Sequence, residues 1–150
     1  MRWLVIGVGN ELRRDDGLGP WLTERIAEWA IPGVATRTVQ QLTPELAAAI
    51  VQYDRVLFID ADRVHAKPTL TRVSARFGSS RLGHALGAGE VMAFAETLSD
   101  RVPPAWLALV PGADFEFGEG RSESAAKAAE AALNRIGELL RGADPCTKSD

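Results

Sequence analysis

Cysteine is nearly absent from this chain: Cys146 alone occurs in 150 residues, within the polar stretch 142–150. No disulfide can form within the chain, and metal sites built on several thiolates are excluded. Histidine is scarce too, so imidazole chemistry falls to His65 or His84. A cationic excess is missing: 17 Lys and Arg against 20 Asp and Glu leave a net charge of -3. That balance gives no general attraction to nucleic acid or to an anionic membrane surface. Nor does any apolar run reach membrane-spanning length. The first such run follows one Arg, is short, and ends among glycines instead of at a small-residue cleavage site. These absences predict a soluble, cytoplasmic protein with no nucleic-acid or membrane partner; a monomer is the expectation, though no residue pattern fixes the oligomeric state.

What is present reads as alternating strands and helices. Residues 2–8 form a continuous apolar run suited to a central parallel strand covered on both faces. Leu18, Trp21, Leu22, Ile26 and Trp29 recur at helical spacing and predict a helix stopped by Pro32-Gly33. The segment 34–42 is β-rich. Thr43-Pro44-Glu45 then supplies an N-cap, a first-turn proline and an early acid for a short helix to Val51. A second buried strand, 55–60, ends in Asp60. Residues 69–77 alternate, with Thr71, Val73, Ala75 and Phe77 on one face and Leu70, Arg72, Ser74 and Arg76 on a wet one, which predicts an edge strand. A helix over 85–98, a strand over 106–110 and a glycine- and acid-rich loop over 111–121 follow. The last helix runs to Arg141, capped by Ser122 or Ser124 and buried through Leu133, Ile136 and Leu140. Trp3, Trp21, Trp29 and Trp106 read as packing residues. The expected fold is α/β: one domain, 1–141, with a polar tail, 142–150. It is a three-layer α/β/α sandwich around a twisted, mostly parallel sheet of about five strands with one edge strand.

The loop after the first strand, Gly7 to Gly19, concentrates the chemistry. Its four glycines let the backbone fold tightly over whatever binds at the strand's carboxyl end. A dinucleotide fingerprint fails because Leu12 takes the place of the third glycine. No Gly-Lys-Ser/Thr is present to hold a nucleotide, and paired Asp15 and Asp16 would repel a phosphate. One aspartate suffices to cap the next helix, and that role falls to Asp15. Asp16 is then free to act as a ligand or acid/base group, with Gly9, Asn10 and Gly17 expected to line the binding loop. Asp60 ends a parallel strand and so shares the carboxyl rim with this loop. His84, between Gly83 and Gly87 at a helix entrance, completes one nitrogen and two carboxylates. Such a donor set holds a divalent metal and leaves positions open for substrate or water. His65 lies in a basic loop and reads as surface. Arg63, Lys67, Arg72, Arg76 and Arg81 form a basic run, either a docking face or a solvated strand with its loops.

Gly7-Val8-Gly9-Asn10-Glu11-Leu12-Arg13-Arg14-Asp15-Asp16-Gly17-Leu18-Gly19-Pro20, the strand Val56-Leu57-Phe58-Ile59-Asp60-Ala61, and Gly83-His84 with its following helix together resemble the hydrogenase maturation endopeptidases. These enzymes trim the C terminus of the large subunit of nickel-iron hydrogenases. The resemblance spans most of the chain in order. It implies that Asp16, Asp60 and His84 contact nickel and carry the catalysis; Asp62 is not carried over. It implies further that the precursor supplies the nickel, in a site open to other divalent cations, and that the partner is a hydrogenase large-subunit precursor. One departure is Gly120-Arg121-Ser122-Glu123-Ser124, where the family tends to carry a Gly-Leu-Ser-Pro-like start to the last helix. With no serine in a Gly-x-Ser-x-Gly elbow and Cys146 in the tail, water is the expected nucleophile. A rival reading is a noncatalytic chaperone or binding module that recognises the nickel site. Peptidyl-tRNA hydrolase shares the Gly-x-Gly-Asn opening but needs a basic surface for tRNA.

Overall fold

The computed structural model describes residues 1–78 and 86–142. Its elements are β1 (Trp3–Val8), a 3-10 turn (Arg14–Gly17), α1 (Leu18–Glu28), β2 (Val34–Val39), α2 (Leu46–Ile50), β3 (Arg55–Asp62), β4 (Thr69–Val73), α3 (Ala88–Leu98), β5 (Ala105–Pro111) and α4 (Glu123–Leu140). The five strands form one sheet in the order β2-β1-β3-β5-β4. All neighbours run parallel except β4, which lies antiparallel on β5 as an edge strand.

Strand alternation splits the core in two. Trp3 and Val5 of β1 and Leu57 and Ile59 of β3 face one layer, packing with Leu18, Leu22 and Ile26 of α1 and Leu133, Ile136 and Leu140 of α4. Leu4, Ile6 and Val8, with Val56 and Phe58, face the other, formed by Leu46 and Ile50 of α2 and Val91 and Met92 of α3. The three expected layers are therefore present. Every β1 residue is buried, which explains its unbroken apolar run, whereas β2 at the other edge is half-buried or exposed throughout. From β1 the chain passes to β2 on one side and later to β3 on the other. The loops after β1 and β3 consequently open a crevice at the carboxyl ends of these two strands.

Four expectations need correction. β4 stops at Val73, and its supposed wet face carries buried Leu70 in the α1/α4 core; α4 covers that side, and the Arg135 side chain donates to the Pro68 carbonyl. Beyond Val73 the chain turns to α3, with the Arg76 N–H donating to the Gly89 carbonyl and Phe77 meeting Phe94 edge-on at 5.0 Å. Thr43 provides no side-chain cap: α2 starts at Leu46, after turn bonds to the Thr43 and Pro44 carbonyls. α3 begins at Ala88, because Gly87 is extended and its N–H donates to the Glu90 carboxylate at 3.1 Å. Asp15 does not cap α1, whose N-cap is Gly17 with no side-chain bond. Ser122 does cap α4, accepting from the Ala125 N–H.

All four tryptophans are packing residues, as expected. Trp3 and Trp106 meet at 5.1 Å between ring centroids, and Trp21 and Trp29 pack against the α1/α4 core. Among the described residues no helix is long and apolar enough to cross a membrane.

Candidate active site at the carboxyl rim

Backbone approach sets the site loop. At Gly19, in the first turn of α1, a Cβ would collide with the Val8 carbonyl and lie 2.5 Å from that of Ile59. Glycine at this position lets α1 sit directly on the ends of β1 and β3. The Thr23 hydroxyl, buried beneath, donates to the Gly19 carbonyl at 2.8 Å. Gly9 has φ +151, and a side chain there would strike the Asp16 carbonyl. The loop from Gly9 must therefore fold back over the 3-10 turn that carries Asp15 and Asp16.

Asp16 is held at its carboxylate by the Asn10 N–H at 2.8 Å, and Asn10 in turn accepts from the Leu12 N–H at 2.9 Å. Asp60 stands near the end of β3, accepting from the Ala61 N–H at 2.8 Å. Burial pushes its pKa up to about 7 against that hydrogen bond, and the charges of Asp16 and Asp62 add to the rise. The two carboxylates line one cavity of about 330 Å³ together with Gly9, Gln40, Gln41 and Leu86. Its far wall includes Gly87 and Ala88 at the start of α3.

The structure thus brings Asp16, Asp60 and Gly9 into one cavity. Asn10 touches it through its hydrogen bond to Asp16 and lines an adjoining cavity of about 300 Å³. Gly17 packs under Glu11 and lines another cavity, with Leu12 and Trp21. His84, like Arg81, lies outside the described residues, although Leu86, two positions further along the sequence, lines the carboxylate cavity. Among the described residues no group of three or more His, Cys, Asp or Glu is placed to hold a metal.

Two further carboxylates have structural roles that the sequence reading did not give them: Asp15 was expected to cap a helix, and Asp62 was assigned no role. Asp15 is completely buried and accepts from the Ala113, Asp114 and Ser122 N–H groups and the Ser122 hydroxyl, at 2.6–2.9 Å. Burial opposes its charge, but these four donors outweigh burial and hold its pKa below the ordinary carboxylate value. It ties the site loop to the 112–122 loop and to the start of α4. Asp62, also buried, accepts from the Val64 and His65 N–H groups and lies 2.5 Å from His65 Nδ1. Burial is overcome at Asp62 too, by the Val64 amide first and then by His65, so the pKa is lowered. The spacing Asp60-Ala61-Asp62 was the available signal, since alternate strand residues share a face. His65 is half-exposed, as expected, but partnered.

Fold and rim together define a three-layer α/β protein with two acids at its topological switch point, and this fold is that of solved hydrogenase maturation peptidases. The structure described as the hydrogenase maturating endopeptidase HybD from E. coli is similar with a TM-score of 0.79 and 24% identity, covering 94% of this chain and 93% of that one. A [NiFe] hydrogenase maturation protease HycI from Thermococcus kodakarensis KOD1 gives 0.71 and 23%, over 94% of this chain and 93% of the other. The hydrogenase 2 maturation peptidase from Thaumarchaeota archaeon SCGC_AB-539-E09 gives 0.69 and 22%, over 93% and 98%. No family model and no curated protein matches the chain.

Proposed function

We propose that this protein is an endopeptidase that removes the C-terminal extension of a nickel-loaded hydrogenase large-subunit precursor in the cytoplasm. The observation that carries this reading is the meeting of Asp16 and Asp60, from separate loop and strand, in one cavity at the carboxyl rim. The glycine loop around them and the fold shared with solved maturation peptidases support it further. Two carboxylates lining one cavity, one of them Asp60 with its pKa raised first by burial and further by the Asp16 charge, are a fitting donor pair for a divalent cation. The resemblance adds His84 as the third donor.

In this reading the nickel belongs to the substrate, and other divalent cations can take its place. A divalent ion held by Asp16 and Asp60 would polarise the scissile carbonyl and lower the pKa of water. The chain's own residues do the rest. Asn10 fixes the Asp16 carboxylate through its N–H, and Asp60, with a pKa near neutrality, is suited to take or release a proton. The Gly9 turn brings the backbone against the Asp16 carbonyl and so holds the loop closed over the turn that carries Asp16.

Incubation with purified nickel-loaded precursor tests the proposal by mass spectrometry. The wild type is expected to shorten the precursor at its C terminus. Asp16→Asn, Asp60→Asn and His84→Ala are each expected to fold, by circular dichroism, yet to lose at least ~10²-fold in trimming rate. Normal trimming by all three variants overturns the site assignment. A stable complex of unchanged masses assigns the chain instead to the noncatalytic chaperone or binding module.

A further inference from the structure

We propose that Leu12 and Phe117 form a docking ridge for an extended, apolar segment of the precursor protein on its way to the Asp16/Asp60 cavity; this rests on the peptidase reading above. Leu12 is 65% exposed and Phe117 71%; singly such residues are ordinary, but the bridge between Arg13 and Gly118 sets these two next to each other. They come from distant parts of the sequence but are held side by side. The Gly118 N–H donates to the Leu12 carbonyl at 2.9 Å and the Arg14 N–H to the Gly118 carbonyl at 3.2 Å, while the Arg13 guanidinium stacks on the Phe117 ring at 4.1 Å. Beneath them Asp15 locks both loops together with its four hydrogen bonds. A fold that fixes two exposed apolar residues this firmly presents them preorganised, so binding to them costs little ordering entropy.

Continuity with the site identifies the occupant. Leu12 and Glu11 are a common wall between two cavities, of about 300 and 340 Å³. The first of these shares Gly9 and Gln40 with the cavity that holds Asp16 and Asp60. Gly9 and Gln40, which line both the first of these cavities and the carboxylate cavity, mark the course a polypeptide crossing Leu12 would take toward Asp16 and Asp60. A small ligand would fill one cavity; a protein segment fills the series, and its apolar side chains meet Leu12 and Phe117.

The test compares Leu12→Ser/Phe117→Ser with Leu98→Ser, a change at another exposed apolar residue, at the end of α3, using nickel-loaded precursor. Trimming kinetics and precursor binding by biolayer interferometry are read in parallel. Losing two apolar contacts that the precursor would bury is expected to raise KM and the precursor Kd by roughly tenfold or more in the double variant, with Leu98→Ser at the wild-type value. Hydrogen exchange at 10–14 and 113–118 is expected to slow when the wild type binds precursor. Unchanged KM and Kd in the double variant overturn the ridge. A wild type that binds without cutting removes the peptidase reading and leaves the ridge to be decided by the Kd comparison; one that neither cuts nor binds overturns both.

Discussion

Asp60 has little to hold its negative charge: one hydrogen bond from the next amide, set against burial and two neighbouring carboxylates. Its pKa rises from 3.8 to about 7, so between these values the folded chain keeps a proton that the unfolded chain has lost. The associated stability is complete below 3.8 and is lost as pH rises through 7. Asp60→Asn is therefore expected to stabilise the protein at pH 8 by on the order of 1–2 kcal/mol in urea denaturation, with a smaller gain at pH 5. Asp15 runs the other way. Its lowered pKa means stability that is present above the unfolded value and lost as pH falls through the folded one. Asp15→Asn, leaving amide hydrogens facing buried donors, is expected to cost about 2–3 kcal/mol at pH 7 and less in acid. The motif made Asp16 and Asp60 legible because one lies in the glycine loop after β1 and the other near the end of β3, so both belong to the carboxyl rim. Asp15 was misread because the Ala113 amide it binds lies 98 residues away, where no local pattern reaches.

At the scale of elements, the site depends on how close α1 comes to β1 and β3. Gly7 meets the Gly19 backbone and the Thr23 hydroxyl, and Gly19 meets the Val8 and Ile59 carbonyls, with no room for a methyl group between helix and sheet. Gly19→Ala must push α1 off both strands and carry the 3-10 turn with it. A loss of about 3 kcal/mol or more is expected, together with loss of the cation binding proposed at Asp16. Gly87→Ala, whose Cβ would lie 3.8 Å from the Glu90 carboxylate, is the matched control and is expected to unfold within about 1 kcal/mol of wild type. Strands buried on both faces, β1, β3 and β5, announced themselves through continuous apolar runs. β4 did not, because its Leu70 is covered by a helix that begins more than fifty residues later in sequence, and alternation alone reads a strand side as wet until its cover is known. Helix starts were least legible where no Ser, Thr, Asp or Asn side chain caps them: α2 begins after turn bonds to the Thr43 and Pro44 carbonyls, and α3 after a Gly87 whose N–H donates to Glu90.

For the whole molecule, strand order decides what the rim can do, and strand order was not readable from the chain. The order β2-β1-β3-β5-β4 makes β1 and β3 neighbours, so the loop after one and the last residues of the other face the same crevice. Had β5 stood between them, Asp16 and Asp60 would sit one strand spacing further apart, about 4.8 Å more, too far to share an ion readily. Burial first, and the neighbouring carboxylates besides, oppose an ionised Asp60 at this end of the sheet, and the cation proposed there would stabilise both core layers at once, since both pack on β1 and β3. Nickel at a hundredfold excess over its Kd is expected to add about 2.7 kcal/mol, seen as a rise in Tm without any precursor present. Because the ion needs Asp60 ionised and that carboxyl titrates near 7, the rise should be full at pH 8 and small at pH 5. Asp60→Asn should abolish it at both. An equal rise at pH 5 and pH 8, or one retained by Asp60→Asn, places the ion elsewhere and separates this pair of acids from the metal.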